Sequence, residues 1–191
     1  MTEARSAADA PDSFKEVWLC SAGHAMEHWY LATFYILLPL IGRELGLSYT
    51  EIGLIMTTQH IVGAISNLPG GMVVDMVGKK GYLMATSLFW VGFPYALMSL
   101  THSYWMLLAA ASAVGLGSSI FHPESSRIAR MASGGQHGLA QSVFQVGGNF
   151  GTSVGPLLAA FFVVPHGQGS VAWLALLALF SVAVLSYAAK W

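Results

Sequence analysis

Six apolar runs constrain the fold of this chain more than any other feature. Only 9% of its 191 residues are charged and 55% are apolar, whereas about a quarter of an ordinary soluble domain is charged. A helix needs about 20 mostly apolar residues to cross the hydrocarbon core of a bilayer. The sequence therefore predicts an all-α membrane protein with six transmembrane helices. The predicted spans are residues 17–42, 50–74, 82–100, 104–120, 139–164 and 171–189.

The polar N-terminal segment and the overall charge limit the other possibilities. Residues 1–16 are predicted to form a disordered cytoplasmic tail, and residues 17–191 a single six-helix bundle. A net charge of -1 with scattered basic residues offers no basic face for nucleic acid. The single cysteine, Cys20, permits no disulfide within the chain.

The distribution of basic residues predicts the orientation, because positive charge near helix ends is retained in the cytoplasm. If the N-terminus is cytoplasmic, seven of the eight basic residues lie on that side and only Arg43 lies outside. Those seven residues are Arg5, Lys15, Lys79, Lys80, Arg127, Arg130 and Lys190. We therefore expect a multi-pass protein whose N-terminus and C-terminal end are both cytoplasmic.

Polar side chains distinguish the spans, because they are costly in a membrane unless they face a bundle interior or a wet cavity. The third and sixth spans carry no amide or charged side chain, so we expect them to face lipid. The fifth carries Gln141, Gln145 and Asn149, which are spaced by four and share one helical face. These three are candidates for a substrate path, with hydrogen bonding between helices as the alternative.

Spans two and five each contain a cluster of glycine and proline, at residues 66–71 and 147–156. Interruptions at matching positions of two three-helix halves are typical of transporters built from inverted repeats. The pattern predicts a 3+3 inverted repeat with two interrupted helices. Small residues that only let helices pack closely are the alternative explanation.

The connector after span two resembles the loop motif of the major facilitator superfamily, in which glycine precedes three residues, Asp, Arg, any residue, Gly and two basic residues. The matching residues are Gly71, Asp75, Gly78, Lys79 and Lys80. Met76 stands where the family has arginine, so the motif is incomplete. On span five, Gly151, Gly155 and Pro156 resemble the Gly-Pro element of the superfamily's antiporters.

Residues 121–151 are similar to the region of the fourth and fifth helices in the fosmidomycin-resistance group of that superfamily, bacterial efflux proteins that exchange drug for protons. The resemblance extends over residues 17–191 and implies the N-terminal bundle of a twelve-helix transporter in the bacterial inner membrane. It implies a missing C-terminal six-helix half or a second copy as partner, because the transport site lies between two bundles. Many relatives have a span-four arginine where this chain has Ala111, so no proton role is carried over to that position.

The segment GHAMEHWY, residues 23–30, holds the side chains best suited to chemistry, namely His24, Glu27 and His28. Their spacing matches that of H-x-x-E-H zinc hydrolases, in which two histidines bind the metal and the carboxylate is the general base. A third ligand is required, and the next acidic residues lie across the membrane or at its cytoplasmic edge. We therefore predict no metal site and no enzymatic activity, with a membrane-embedded zinc hydrolase as the remaining alternative.

The same three residues suit proton exchange, because they share one helical face about 15 Å into the first span, near the bilayer midplane. A carboxylate beside imidazoles can gain or lose a proton as its access to water changes. We predict that Glu27 binds the proton and that His24 and His28 are its partners. A static polar cluster that only fixes helix packing is the alternative.

Four further candidates lie at the cytoplasmic end of span four, namely His122, Glu124, Arg127 and Arg130. Pro123 favours a helix break just before it, which would leave Glu124 facing a wet vestibule. The arginines are candidates for binding an anionic substrate such as a phosphonate. The alternative is that they anchor the helix at the headgroups and pair with nearby carboxylates.

These features predict a proton-coupled secondary active efflux transporter, a drug:H+ antiporter for fosmidomycin or another small molecule, of which this chain is one half. The resemblance implies a gating role for Asp75, which would pair with basic groups at a helix end. The alternative is a truncated or half-size membrane protein without transport activity of its own. No cofactor is predicted, and the predicted partners are a small-molecule substrate, protons and the lipid bilayer.

Overall fold

The computed structural model describes residues 10–77 and 80–188, and all regular structure within them is helical. The all-α class is therefore confirmed, and the helices form six consecutive rods. The rods are α1 (Ala10–Glu44), α2 (Tyr49–Val77), α3 (Lys80–Gly92) with α4 (Pro94–Ser99), α5 (Tyr104–Met131), α6 (His137–Leu158) with a π-helical turn (Ala159–Val163) and α7 (Val164–His166), and α8 (Val171–Ala188).

Two helices extend beyond the apolar runs that predict them. α1 begins at Ala10, so residues 10–16 of the predicted tail are helical, while residues 1–9 lie outside the described part of the chain. α5 continues past residue 120 to Met131. The connector after it turns at Gly134 and Gly135, whose φ angles of 58° and 92° lie in the left-handed region that glycine tolerates. Helix therefore covers most of residues 121–138, which lie between the predicted fourth and fifth spans.

Prolines lie inside four of these helices and do not break them. Pro39 is within α1, Pro69 within α2, Pro123 within α5 and Pro156 within α6. The predicted interruptions in spans two and five, and the predicted break before Pro123, are therefore wrong. A proline removes one donor from the helical ladder, but packed helices and serine hydroxyls can compensate the backbone groups around it.

A capping box fixes the start of α2. The backbone N–H and the hydroxyl of Ser48 donate to the Glu51 carboxylate at 2.8 and 2.7 Å, and the N–H of Glu51 donates to Ser48 Oγ at 3.3 Å. The negative charge is thus held at the helix N-terminus, where the helix dipole favours it.

Helix pairing defines the core of the bundle. α1 packs along α6, α2 packs along α5, and α3 and α4 pack against α8. The largest buried cluster includes Tyr30, Phe34 and Leu37 of α1 together with Tyr95 of α4. The hydroxyl of Tyr95 donates to the Tyr30 carbonyl, so this buried polar group is satisfied within the core.

Two described helices are long and apolar enough to cross a membrane, Tyr104–Met131 and the continuous helix His137–His166. A shorter apolar helix covers Gln168–Ala183. α8 exposes a row of large apolar side chains, as expected of a helix that faces lipid. These side chains are Trp173, Leu176, Leu177, Leu179 and Phe180. A membrane-spanning role for the other runs stays a prediction.

Glycine allows α1 and α6 to approach closely. Gly147 and Gly151 lie one turn apart on α6 and are both buried. A Cβ atom at Gly147 would overlap the carbonyl oxygen of Ser21, and one at Gly151 would overlap the carbonyl oxygen of Ala25. Because these obstacles are backbone atoms, the two helices would have to separate to admit any side chain.

We expect Gly151→Ala to destabilise the bundle by about 1–3 kcal/mol, because the added methyl group forces α6 away from α1. Gly53→Ala on α2 is the matched control, since a Cβ there meets no atom within 4 Å. That control should be neutral or stabilising by up to about 1 kcal/mol, because alanine has the higher helix propensity. Thermal unfolding of both variants in detergent micelles measures the difference, and equal midpoints would contradict the close contact.

Candidate functional site

Glu27 lies at the centre of a polar cluster inside the bundle. His24 and Glu27 of α1 are buried and His28 is half-buried, all on the shared face that the sequence predicts. Ser118 of α5 donates a hydrogen bond to Glu27 Oε1 at 2.7 Å. The second oxygen, Oε2, has no hydrogen-bond donor among the described residues. Since a buried carboxylate oxygen without a donor is costly, this atom is a natural position for a proton or another cation.

His122 of α5 completes the cluster. Its Nε2 atom lies 3.3 Å from Glu27 Oε2, and Nε2 of His28 lies 3.8 Å from the same oxygen. One ligand atom from each of His24, Glu27, His28 and His122 lies within 4.8 Å of the others. The prediction that the α1 histidines lack a third ligand is therefore wrong. The reason is that α5 continues past residue 120 and carries His122 towards α1.

α6 anchors the two α1 histidines from the other side. His24 Nδ1 lies 2.8 Å from the Phe144 carbonyl oxygen, and the His24 ring stacks on the Phe144 ring with their planes 4° apart. His28 Nδ1 lies 3.1 Å from Thr152 Oγ1. Because the two anchors are eight residues apart on α6, they fix both imidazoles along one side of that helix.

A second cluster joins α2 to α5. Arg127 Nη2 donates to Glu124 Oε2 at 2.9 Å, and its Nη1 donates to Asp75 Oδ1 at 3.3 Å. Glu124 is fully buried rather than exposed in a vestibule as predicted, because α5 does not break at Pro123. Arg127 therefore has the carboxylate pairing that was the alternative to substrate binding, while Arg130 is exposed.

The amide stripe on α6 divides into two parts. Gln141 Nε2 donates to the carbonyl and hydroxyl oxygens of Ser126 at 3.2 and 3.1 Å, so it forms the predicted alternative, a bond between helices. Gln145 and Asn149 are exposed on the same helix. Of the three amides, only these two present their side chains at an open surface of the bundle.

The remaining sequence-predicted residues are placed as follows. Gly151 and Gly155 are buried against α1, and Pro156 continues the helix. Asp75 and Gly71 lie in the last turns of α2. The other loop-motif residues, Gly78 and Lys79, lie outside the described residues, as does the side chain of Lys80.

Several contributors to the site were missed from the sequence. Ser118 lies four residues before His122, so the helical period of α5 puts both on the face that meets Glu27. Tyr35, two turns after His28, donates to Gln59 Oε1 at 3.0 Å and stacks on His60, so it extends the polar contacts of α1 to α2. Each is a polar residue at helical spacing from a residue already identified as a candidate. That pattern identifies a site residue only when the helix that packs against it is known.

Comparison with known proteins places this chain among transporters. The family model for the Major Facilitator Superfamily matches residues 17–191. The fosmidomycin resistance protein of Escherichia coli (strain K12) is 41% identical over 188 residues, which cover 98% of this chain and 46% of that protein.

Two further relatives are more distant. An uncharacterised MFS-type transporter, YfnC of Bacillus subtilis (strain 168), is 34% identical over 183 residues, covering 88% of this chain and 41% of that protein. A probable nitrate transporter, NarT of Staphylococcus carnosus (strain TM300), is 25% identical over 152 residues, covering 80% of this chain and 37% of that protein. The chain thus spans about half the length, or less, of the curated relatives that it matches.

Arg127→Met should destabilise the bundle by about 3 kcal/mol, because it removes the guanidinium group from a fully buried carboxylate. Arg130→Met, the same change on an exposed arginine of the same helix, should stay within about 0.5 kcal/mol of the parent. Melting temperatures of the two variants in the same detergent give the comparison. If both variants lose the same stability, the buried pair does not hold α5 in place.

Proposed function

The chain belongs to the Major Facilitator Superfamily, and from this membership we propose that it forms the N-terminal six-helix half of a proton-coupled efflux transporter. Members of this family are integral membrane proteins, typically in the bacterial inner membrane. The fosmidomycin resistance protein that this chain resembles supports export of fosmidomycin or another small molecule as the activity. The observation that carries the proposal is the fully buried Glu27 carboxylate between α1 and α5.

We further propose that six spans cross the membrane as a 3+3 inverted repeat, with both ends cytoplasmic. The helix pairing supports the repeat. In chain order, α1 of the first half corresponds to α5 of the second, α2 to α6, and α3 to α8. Under this correspondence the α1–α6 pair is equivalent to the α5–α2 pair, and the α3–α8 pair is equivalent to itself. An inverted repeat requires this equivalence, because its halves are related by a pseudo-two-fold axis.

Glu27 is the proposed proton-binding residue, with His24, His28 and His122 as its partners. Its Oε2 atom faces two imidazole nitrogens at 3.3 and 3.8 Å and lacks a hydrogen-bond donor among the described residues. A proton on that oxygen would remove a buried negative charge, which is costly to keep in the bundle interior. Loading and release of this proton as access alternates would couple its gradient to export.

The substrate path is proposed to follow the exposed amides of α6. Gln145 and Asn149 lie on the same side of this helix as Thr152, which contacts His28. Gln141 is less suited to this role, because its side chain already bonds to Ser126. Neutral amides of this kind can bind polar substrates without adding a charge to the membrane interior.

Asp75 and Arg127 are the proposed gate. Their 3.3 Å ion pair joins the end of α2 to α5, and the side chain of Asp75 is largely exposed. An exposed ion pair is weak, so it can open and close during transport. Glu124 would keep Arg127 in position through both states, because its own pair with Arg127 is shorter and buried.

A single bundle is proposed to be insufficient for transport, because the site in such transporters lies between two bundles. A C-terminal six-helix half or a second copy of the chain would supply the other wall. The alternative, a half-size membrane protein without transport activity, predicts that no added partner restores export.

Glu27→Gln should abolish proton-driven export, because the amide keeps the size of the side chain but cannot accept the proton. The chain is expressed within the open reading frame that contains it, in a bacterial strain that lacks its own fosmidomycin resistance protein. Fosmidomycin susceptibility and drug-driven proton release from inverted membrane vesicles are then measured. The variant should return susceptibility to the level of the empty strain.

Glu44→Gln is the matched control, since it makes the same change at an exposed end of α1 and should leave export intact. Western blots of the membrane fraction establish that both variants accumulate equally. Retained proton-coupled export in Glu27→Gln would contradict the role of Glu27. Absence of export in the parent would contradict the transport proposal itself.

A further inference from the structure

Three imidazoles and one carboxylate converge between α1 and α5, with one ligand atom from each within 4.8 Å of the others. The donors are those of His24, Glu27, His28 and His122. Imidazole nitrogen and carboxylate oxygen are preferred ligands of Zn²⁺ and of related divalent transition metals. We propose that these four side chains form a binding site for one divalent transition-metal ion of the Zn²⁺ class.

The hydrogen bonds around the cluster leave its ligand atoms free. A carbonyl oxygen can only accept, so the 2.8 Å contact with Phe144 requires His24 Nδ1 to carry the proton. Thr152 donates its hydroxyl hydrogen to the Gly148 carbonyl at 3.0 Å, so its oxygen accepts from His28 Nδ1. In both rings Nε2 therefore keeps its lone pair. Outer contacts of this type orient the histidines of metal sites.

The carboxylate offers the fourth donor. Glu27 Oε1 accepts from Ser118, which fixes the orientation of the group, while the buried Oε2 has no hydrogen-bond donor among the described residues. An uncompensated buried oxygen pointing into three imidazoles is a position that a cation would stabilise. The buried Glu27 Oε2 atom therefore indicates a ligand, in addition to the types of side chain that the cluster contains.

The distances suit a small ion. Metal–ligand bonds of about 2.0–2.1 Å at tetrahedral angles place neighbouring donors about 3.3 Å apart. The His122 Nε2 to Glu27 Oε2 distance is 3.3 Å, and the His28 Nε2 to Glu27 Oε2 distance is 3.8 Å. The widest pair, at 4.8 Å, would contract by about 1 Å or more on binding. The side chains of His28 and His122 are 31% and 38% exposed, which gives the ion an entry path.

The geometry favours binding over hydrolysis. A catalytic zinc keeps one position open for water, with a separate carboxylate as general base. Here four protein donors fill a tetrahedral shell, and Glu27 is itself one of them. The site thus differs in function from the H-x-x-E-H hydrolases whose spacing its α1 segment shares.

The experiment measures Zn²⁺ alone on the chain purified in detergent through an affinity tag without histidines. Metal content after desalting is determined by plasma mass spectrometry, affinity by competition with a chelating dye, and ligand type by X-ray absorption. We expect one Zn²⁺ per chain, bound by nitrogen and oxygen ligands with imidazole scattering. Helical circular dichroism and a single gel-filtration peak define the folded protein used.

His122→Gln should weaken Zn²⁺ binding by at least about 100-fold, since it removes a ligand, whereas His102→Gln at an exposed position should not change it. Thr152→Val should weaken binding by roughly 10-fold, because it removes the acceptor that orients His28. A folded parent that binds no Zn²⁺, or a His122→Gln variant that binds as tightly as the parent, would overturn the proposal. Since export is not measured here, the metal site and the proton role can each fail alone.

Discussion

The polar site depends on the close approach of α1 and α6. Gly147 and Gly151 place the backbone of α6 directly against Ser21 and Ala25 of α1. At this separation the Phe144 carbonyl and the Thr152 hydroxyl lie within hydrogen-bonding distance of the two α1 histidines. Larger side chains at the glycines would separate the helices and lengthen both contacts together. Gly147 and Gly151 therefore determine both the packing of α6 on α1 and the contacts that set the tautomer and direction of the imidazoles. A substitution at either glycine would change both together.

α5 connects the two polar clusters. Ser118 and His122 contact Glu27 of α1, whereas Arg127, little more than one turn further along, bonds to Asp75 of α2. Within a continuous helix these side chains move as one rigid unit, so a shift of α5 relative to α1 also changes the α2–α5 ion pair. α5 therefore links the proposed gate to the proposed cation site, because it contacts α2 at the first and α1 at the second. The continuity of α5 through Pro123 is essential to this link, since a break there would uncouple the two clusters.

Sequence patterns predicted the class of fold, the approximate helices and the α1 half of the site, because apolar length and a 3.6-residue period are local properties. They did not predict the partners of Glu27 on α5, namely Ser118 and His122. His122 was a candidate at the end of a span, and its contact with Glu27 depends on α5 remaining helical past residue 120. Proline was misleading for a related reason. Its effect on an isolated helix is local, but whether Pro69, Pro123 or Pro156 breaks a helix depends on packing that local propensity does not contain. Gln141 likewise looked equivalent to Gln145 and Asn149 until Ser126 was placed beside it.

The charge of the cluster distinguishes its two proposed occupants. With neutral imidazoles, the empty cluster carries the single negative charge of Glu27 in a poorly solvated interior. A proton makes the cluster neutral, so the protonated form tolerates complete removal of water. A divalent ion leaves a net positive charge and joins α1 to α5 through four bonds, so it is stable only while His28 and His122 remain partly exposed. A bound metal would thus oppose any rearrangement that closes the cluster, whereas a bound proton would permit it. On these two proposals, the same four side chains would serve proton exchange and would be blocked by a bound metal, without any change in the fold.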